Sequence, residues 1–337
     1  MAQILGLLLL SFFITSVLLV PLIDFLYKLR LKRTDETKRV DTLNKATPIT
    51  ARLLAGKPKR PIGAGALVVI VTTILSLWSY GLLGIKANIS ELFILLFTML
   101  SFALLGLYDD IRKNFNKEHT GFFGLRWRHK LLVQVALGLF VGSFFWFVLR
   151  YDFVNIHWFG MLDVGPLFIP ITAFVVVAFA NAFNVTDGLD GLSSGVLLIC
   201  LIAFVVLSFT LLHPSLALFL AVWIGSLIAF LYFNIYPARV ELGDTGALAF
   251  GATLAVVGLL TGKIIALAII GGVFVLEIGS SLIQMISKHF WGRKFFSVAP
   301  LHLWFMNRGW EEPKVVMRAW LLAILFAIFG LWLGVIK

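Results

Sequence analysis

Residues 89–113 read ISELFILLFTMLSFALLGLYDDIRK. From Ile89 to Tyr108 the run is predominantly apolar, and two adjacent acids, Asp109 and Asp110, then close it. About 20 apolar residues at ~1.5 Å of rise cross ~30 Å of hydrocarbon, so this run predicts a transmembrane helix that delivers two carboxylates to a membrane surface. The rest of the chain has the same character. Of 337 residues, 60% are hydrophobic and 13% charged, and the mean hydropathy is +1.00. A soluble domain carries roughly 25% charged residues, so neither a water-soluble fold nor a disordered chain fits. The net charge of +11 would point to nucleic acid in a soluble protein. Here it is read for topology, and no nucleic-acid partner is expected. The one cysteine, Cys200, lies in an apolar run and excludes both a disulfide framework and a thiolate metal cluster.

About ten runs meet the length criterion for a span. They are Ala2–Leu26, Gly65–Leu83, Ile89–Tyr108, Leu131–Leu149, Pro166–Ala180, Val196–Leu212, Leu216–Phe233, Ala247–Leu260, Ile264–Ile283 and Ala319–Val335. The first lacks a basic leader and a small-residue cleavage site, so it is expected to be a retained anchor. Lysine and arginine fix the sidedness. All of them fall in alternate loops except Lys86, Arg150, Lys263 and Lys337. The expected architecture is therefore an all-α, polytopic membrane bundle forming a single unit over residues 1–337. Both termini face outward, a basic loop (residues 28–63) and a last polar loop (residues 286–318) face the cytoplasm, and the chain sits in a bacterial inner membrane.

The remaining polar motifs map to that cytoplasmic face. They are Asp187 and Asp190 in Asn181-Ala-Phe-Asn-Val-Thr-Asp-Gly-Leu-Asp-Gly191, Asp244 in Gly243-Asp-Thr-Gly246 after Asn234, and His302 in the last loop. Two neighbouring acids at a membrane boundary repel and are poorly solvated, which Arg112 and Lys113 can relieve as plain salt bridges. With Asp244 added, three carboxylates on one face suit Mg²⁺, which takes one or two carboxylates together with phosphate oxygens and water. Asp-Gly and Gly-Asp are also ordinary turn chemistry. As a ligand site, such glycines allow close backbone approach while the following helix start favours an anion. Asn181, Asn184, Thr186 and Asp187 in one short turn are more polar equipment than a turn needs. His119, His129, His157, His213 and His289 receive no role. Glu277, inside the ninth span, is expected to hydrogen-bond a neighbouring helix.

Together these segments resemble the phospho-N-acetylmuramoyl-pentapeptide transferase family, within the polyprenyl-phosphate N-acetylhexosamine-1-phosphate transferase superfamily. Asp109-Asp110-x-x-Lys113, Gly124-Leu-x-x-x-x-Lys130, the Asn181–Gly191 segment, Asn234-x-x-Pro237-Ala, Gly243-Asp-Thr-Gly246, Ala299-Pro-Leu-His302 and Gly309-Trp-x-Glu-Pro-Lys-Val carry the resemblance, with Gln134, Glu277 and Gln284. Pro61-Ile-Gly-Ala-Gly65 is similar to the family's Thr-Pro-Thr-Met-Gly-Gly. The resemblance implies a ten-helix bundle with a cytoplasmic cleft. It also implies Mg²⁺-dependent transfer of phospho-MurNAc-pentapeptide from UDP to undecaprenyl phosphate, releasing UMP and making the first lipid intermediate of the peptidoglycan cell wall. Two positions depart from the family. Leu303, Trp304 and Met306 stand where further histidines and a glutamate are usual, and Glu241 stands where a phenylalanine stacks on uracil.

On this reading Asp244 holds Mg²⁺ with Asp110 as partner, and Asp109 accepts a proton from, or orients, the lipid phosphate. Lys113, Lys130 and His302 donate to phosphate oxygens. Asn181, Asn184, Asp187, Asp190 and Asn234 contact the nucleotide or complete the polar site. A two-step route through an aspartyl nucleophile is the competing mechanism, and a homodimer is compatible with the sequence. The altered histidine motif keeps open a UDP-N-acetylglucosamine-type phosphotransferase for another envelope polymer. A non-catalytic transporter is the third reading, for which no internal repeat is found.

Overall fold

The computed structural model describes residues 2–29, 49, 53, 60–82, 88–115, 125, 127–156, 160–211 and 213–335. Most of the 28–63 loop, together with Lys86, Gly124, His119 and His157, lies outside the described residues. The helices are α1 (Ala2–Lys28), α2 (Ala64–Leu82), α3 (Ile89–Phe115), α4 (Trp127–Phe147), α5 (Phe168–Thr186), α6 (Leu192–Thr210), α7 (Pro214–Asn234), α8 (Gly243–Leu260), α9 (Ile264–Ile270), α10 (Gly272–Trp291), α11 (Leu301–Asn307) and α12 (Glu312–Val335). Between α4 and α5, β1 (Phe153–Ile156) pairs antiparallel with β2 (Gly160–Asp163), Phe153 opposite Asp163. Among the described residues, nine helices are long and apolar enough to cross a membrane, or ten if α9 and α10 make one bent span. The chain is an all-α polytopic bundle.

α8 is the buried centre of that bundle. It packs along α3 and α5 and also meets α2 and α9, while α1 lies along α7. Lipid tails are as apolar as leucine, so helices in a bilayer associate chiefly by close packing, which small residues permit. Glycines provide these contacts on α8. A Cβ on Gly246 would stand 2.9 Å from the Gly65 α-carbon of α2, and one on Gly251 would stand 2.3 Å from the Phe179 carbonyl oxygen of α5. On the outside, Leu9, Phe13 and Val17 of α1 and Leu321, Leu325 and Ile328 of α12 are exposed, an apolar surface matched to lipid.

The boundaries that bear on the site differ from the hydropathy reading. α3 continues beyond Asp109 and Asp110 to Phe115, because a helix needs backbone hydrogen bonds rather than apolar side chains to go on. α5 runs to Thr186, so Asn181 and Asn184 belong to a helix and not to a short turn. α10 reaches Trp291 and α12 starts at Glu312, so helix occupies both ends of the 286–318 segment, and α11 lies inside it. The ninth span is broken at Gly271, with α9 and α10 bent by 80°. At this break a Cβ on Gly271 would sit 2.6 Å from the Phe179 ring and one on Gly272 2.7 Å from the Phe326 ring. The paired glycines let rings from α5 and α12 fill the angle.

Candidate active site

The C-terminal ends of α3, α5 and α7 and the N-terminal ends of α4 and α8 meet at one end of the bundle. Successive helical residues point ~100° apart, so Asp109 and Asp110 face different neighbours. Asp109 is 2% exposed. Its Oδ1 accepts the Leu125 amide at 2.7 Å, and its Oδ2 accepts Lys130 Nζ at 3.0 Å. Lys113, one turn along the same face, also reaches Asp109 Oδ2 at 3.0 Å. Both lysines converge on a second acceptor: Asp244 Oδ2 lies 2.7 Å from Lys113 Nζ and 2.5 Å from Lys130 Nζ. Two ammonium groups are thus held between two carboxylates, the four groups coming from three helices.

Asp110 turns to the start of α8. Its Oδ1 accepts the Asp244 amide at 3.1 Å, while its Oδ2 accepts the Thr245 amide at 2.9 Å and the Thr245 hydroxyl at 2.8 Å. Free N–H groups and the helix dipole make a helix N-terminus a natural seat for a carboxylate. Asp110 therefore fixes the turn that carries Asp244. The preceding Gly243 has φ +79°, a left-handed conformation suited to glycine, and a Cβ there would stand 2.8 Å from Asp110 Oδ2. The sequence reading pairs Asp110 with Asp244 around a cation, whereas the structure sets Asp109, not Asp110, opposite Asp244.

His302, 3% exposed, lies at the start of α11. Its Nδ1 is 3.0 Å from Glu277 Oε2, and its amide donates to Glu277 Oε1 at 3.1 Å. A carboxylate on Nδ1 makes that nitrogen the proton carrier and leaves Nε2 facing the α5–α6 turn, where a Cβ on Gly188 would stand 2.6 Å from it. Glu277, on α10, takes the hydrogen-bonding part expected of it. For the transfer activity that the resemblance implies, Glu277→Gln should lower kcat about tenfold, the weight of one charge-assisted hydrogen bond of ~1.5 kcal/mol, with folding retained; steady-state rates and a melting curve check this.

The other expected contacts divide into two groups. Asn181 donates to Gln134 Oε1 at 2.7 Å and to the Val177 carbonyl at 2.8 Å, with Asn184 half-buried on the same face of α5. Asp187 accepts the Ser193 hydroxyl at 2.5 Å and is half-buried. Asp190 and Asn234 sit behind the site, 6% and 5% exposed. Asn234 Oδ1 accepts the Gly191 amide at 3.2 Å and the Ser194 hydroxyl at 2.7 Å, and its Nδ2 donates to the Val240 carbonyl at 3.0 Å. Asp190 accepts from Arg60 Nη1 in a short ion pair and from the Ala238 amide at 3.0 Å, and its own amide donates to Glu312 Oε1 at 2.8 Å. Nothing in the local sequence marks Arg60 as buried or site-forming, and Glu312 figures there only within the Gly309-Trp-x-Glu-Pro-Lys-Val motif, with no role of its own. Gln284 holds the approach to α11, accepting the Phe295 amide at 3.0 Å and the Phe296 amide at 2.9 Å. In place of the family's histidine run, Leu303 is buried and the Trp304 ring carries the Arg308 guanidinium at 3.8 Å. Glu241 borders the site, its amide donating to the Pro61 carbonyl at 2.9 Å.

Residues 92–262 match the family described as glycosyl transferase family 4. The chain is 33% identical over 327 residues to the phospho-N-acetylmuramoyl-pentapeptide-transferase of Anoxybacillus flavithermus, covering 97% of this chain and 96% of that protein. The chain belongs to the phospho-N-acetylmuramoyl-pentapeptide-transferase family. The Bacillus subtilis member is 33% identical over 326 residues (96% and 95% covered), and that of Desulforudis audaxviator is 38% identical over 257 residues (74% and 76%). This transferase-family membership makes the chain a multi-pass membrane phosphotransferase, which removes the transporter reading.

Among the described residues, no three acidic, histidine or cysteine side chains form a protein-only metal cage. The donor set nevertheless fits Mg²⁺, which needs only one or two carboxylates beside phosphate and water. Two oxygens, Asp109 Oδ2 and Asp244 Oδ2, already flank a shared positive centre.

Proposed function

We propose that this protein transfers phospho-N-acetylmuramoyl-pentapeptide from its UDP donor to undecaprenyl phosphate, releasing UMP, on the cytoplasmic side of a bacterial inner membrane with both termini outward. The supporting observation is the Lys113–Lys130 pair held between Asp109 and Asp244. Phosphoryl transfer depends on positioning and on neutralising charge, and this cluster has parts for both. Its two ammonium groups and two carboxylates cancel. Two phosphorylated substrates therefore call for further positive charge, which Mg²⁺ would supply when bound by Asp244, polarising the diphosphate. Lys113 and Lys130 exchange a carboxylate oxygen for phosphate oxygens as the donor enters. Asp109, its other oxygen held by the Leu125 amide, orients the lipid phosphate and takes its proton. Asp110 acts through α8 by holding Asp244 in place. Asn184 and Asp187 face the nucleotide-sugar, and His302 supports the turn between them and Gly191.

The test is UMP release by purified protein from defined UDP-sugars and undecaprenyl phosphate, with and without Mg²⁺. Release from the muramoyl-pentapeptide donor alone, and only with Mg²⁺, is the expected result. Release from UDP-N-acetylglucosamine instead would favour the other envelope polymer, a reading that Glu241 and Trp304 keep in play. Asp109→Asn should cut turnover at least about a hundredfold, the weight of a positioned acid–base group, while donor binding by calorimetry stays within about threefold. Loss of donor binding with turnover intact would overturn the assignment.

A further inference from the structure

We propose that Arg60 is a positioning residue for the nucleotide-sugar pocket. Paired with Asp190 inside the protein, it sets the α5–α6 turn and the segment leading into α8 in one fixed relation. The proposal rests on the transferase reading above for what occupies the pocket, and on the geometry alone for the brace.

Arg60 is 3% exposed and Asp190 6%. Arginine is almost never buried without a partner, and here the partner lies 130 residues away in sequence. A single carboxylate joins three segments: Asp190 belongs to the α5–α6 turn, Arg60 leads into α2, and the Ala238 amide that donates to Asp190 belongs to the α7–α8 connection. Arg60 is also chained to that connection through its neighbour, because the Pro61 carbonyl accepts the Glu241 amide. Two further bonds close the knot. Gly63 donates its amide to the Glu241 carbonyl at 3.3 Å, and Gly65 donates to the Leu242 carbonyl at 3.1 Å. Glu312 holds the same turn from α12 through the Asp190 amide.

Both braced segments border the site. The turn places Gly188 against His302, and the connection runs through Glu241 and Gly243 into Asp244. Stability is a poor explanation for the pair. Among the described residues, Arg60 Nε is buried without a hydrogen-bond partner, which is unfavourable. A buried ion pair can often be replaced by well-packed apolar residues without loss. What an apolar pair cannot reproduce is the charge-assisted hydrogen bond between a cation and the Asp190 carboxylate, which fixes the separation of the two segments.

The experiment uses the full-length protein in detergent, comparing wild type with Arg60→Met, Arg60→Lys, Asp190→Asn and the double Arg60→Met/Asp190→Asn. Removing one partner strands a buried charge, so each neutralising single should lower the Tm by several degrees, and the double should fall clearly less than the two singles combined. Donor KM should rise at least about tenfold in Arg60→Met and stay raised in the double, while the KM for undecaprenyl phosphate stays within about twofold. Arg60→Lys, which keeps the charge, should return donor KM to within about threefold of wild type. A purely structural role would restore donor KM together with Tm in the double, and that result would overturn the proposal. So would a donor KM within twofold of wild type in Arg60→Met. Should Arg60→Met not fold, the double and Arg60→Lys carry the same comparison. If the wild type released no UMP from any donor, the transferase reading would fail, while the melting cycle would still decide whether the brace exists.

Discussion

Asp244→Asn should lower UMP release about a thousandfold, equivalent to ~4 kcal/mol in the barrier, while leaving a folded protein. The substitution preserves shape and removes only charge. It takes away the negative charge that Lys113 and Lys130 share, leaving the Asp109 carboxylate to face two ammonium groups. It also removes the anionic oxygen placed to bind a divalent ion. Folding should survive because the cluster is not sealed: the Lys113, Lys130 and Asp244 side chains are 26%, 17% and 18% exposed, so water can reach the orphaned lysines. Two measurements separate the metal role from general damage. Mg²⁺ should raise the Tm of the wild type and not that of the variant, and excess Mg²⁺ should not recover turnover. Near-normal release, or an unchanged Mg²⁺ effect on the Tm, would remove Asp244 from the ion.

The membrane architecture was legible in the sequence because lipid leaves little choice about what faces it. A helix surrounded by hydrocarbon must be apolar over about 20 residues, so each span announces itself. Helix ends carry no such constraint. Past the hydrocarbon boundary α3 continues through Asp109, Asp110 and Lys113, and α12 begins seven residues earlier than its apolar run, at Glu312. Neither extension needs apolar residues, so hydropathy does not register it. The break at Gly271 was hidden for the opposite reason: it lies within an unbroken apolar run and shows itself only through the rings of Phe179 and Phe326.

Within the site, residue types were easier to read than partners. Asp109, Asp244, Lys113 and Lys130 meet, as polar groups stationed at one membrane face should. Which of two adjacent aspartates faces the lysines depends on helix phase relative to α4 and α8, and that is a tertiary fact. Asp190 and Asn234 belong to the same polar motifs as the ligand-facing candidates, yet their side chains are engaged by Arg60, Ala238, Gly191, Ser194 and Val240. Arg60 itself reads, in the sequence, as one more basic residue fixing topology. Its burial depends on a carboxylate far along the chain, which no local pattern encodes.

The dependence of this chemistry on helix separation gives a second large effect. Gly106→Ala should lower turnover about a hundredfold and destabilise the protein by ~1–3 kcal/mol. Gly106 lies one turn before Asp110, where α3 crosses the first turn of α8. A Cβ there would stand 2.2 Å from the Asp244 carbonyl oxygen, 2.4 Å from its carbonyl carbon and 2.6 Å from the Thr245 α-carbon. All three are backbone atoms, so no rotamer change relieves the clash, and α8 must move away by roughly an ångström. That movement carries Asp244 away from Lys113, Lys130 and Asp109, and it lengthens the Asp110 contacts that hold the turn. A misplacement of that size is enough to cost two orders of magnitude in rate. Gly279→Ala is the control, since a Cβ on this glycine of α10 meets nothing within 4 Å. Relief of glycine's backbone entropy should make that variant neutral or slightly more stable, with full activity. Steady-state rates and melting curves for the two variants decide the matter. If Gly106→Ala behaved like its control, the close crossing of α3 and α8 would not be what sets the distance between the two carboxylates.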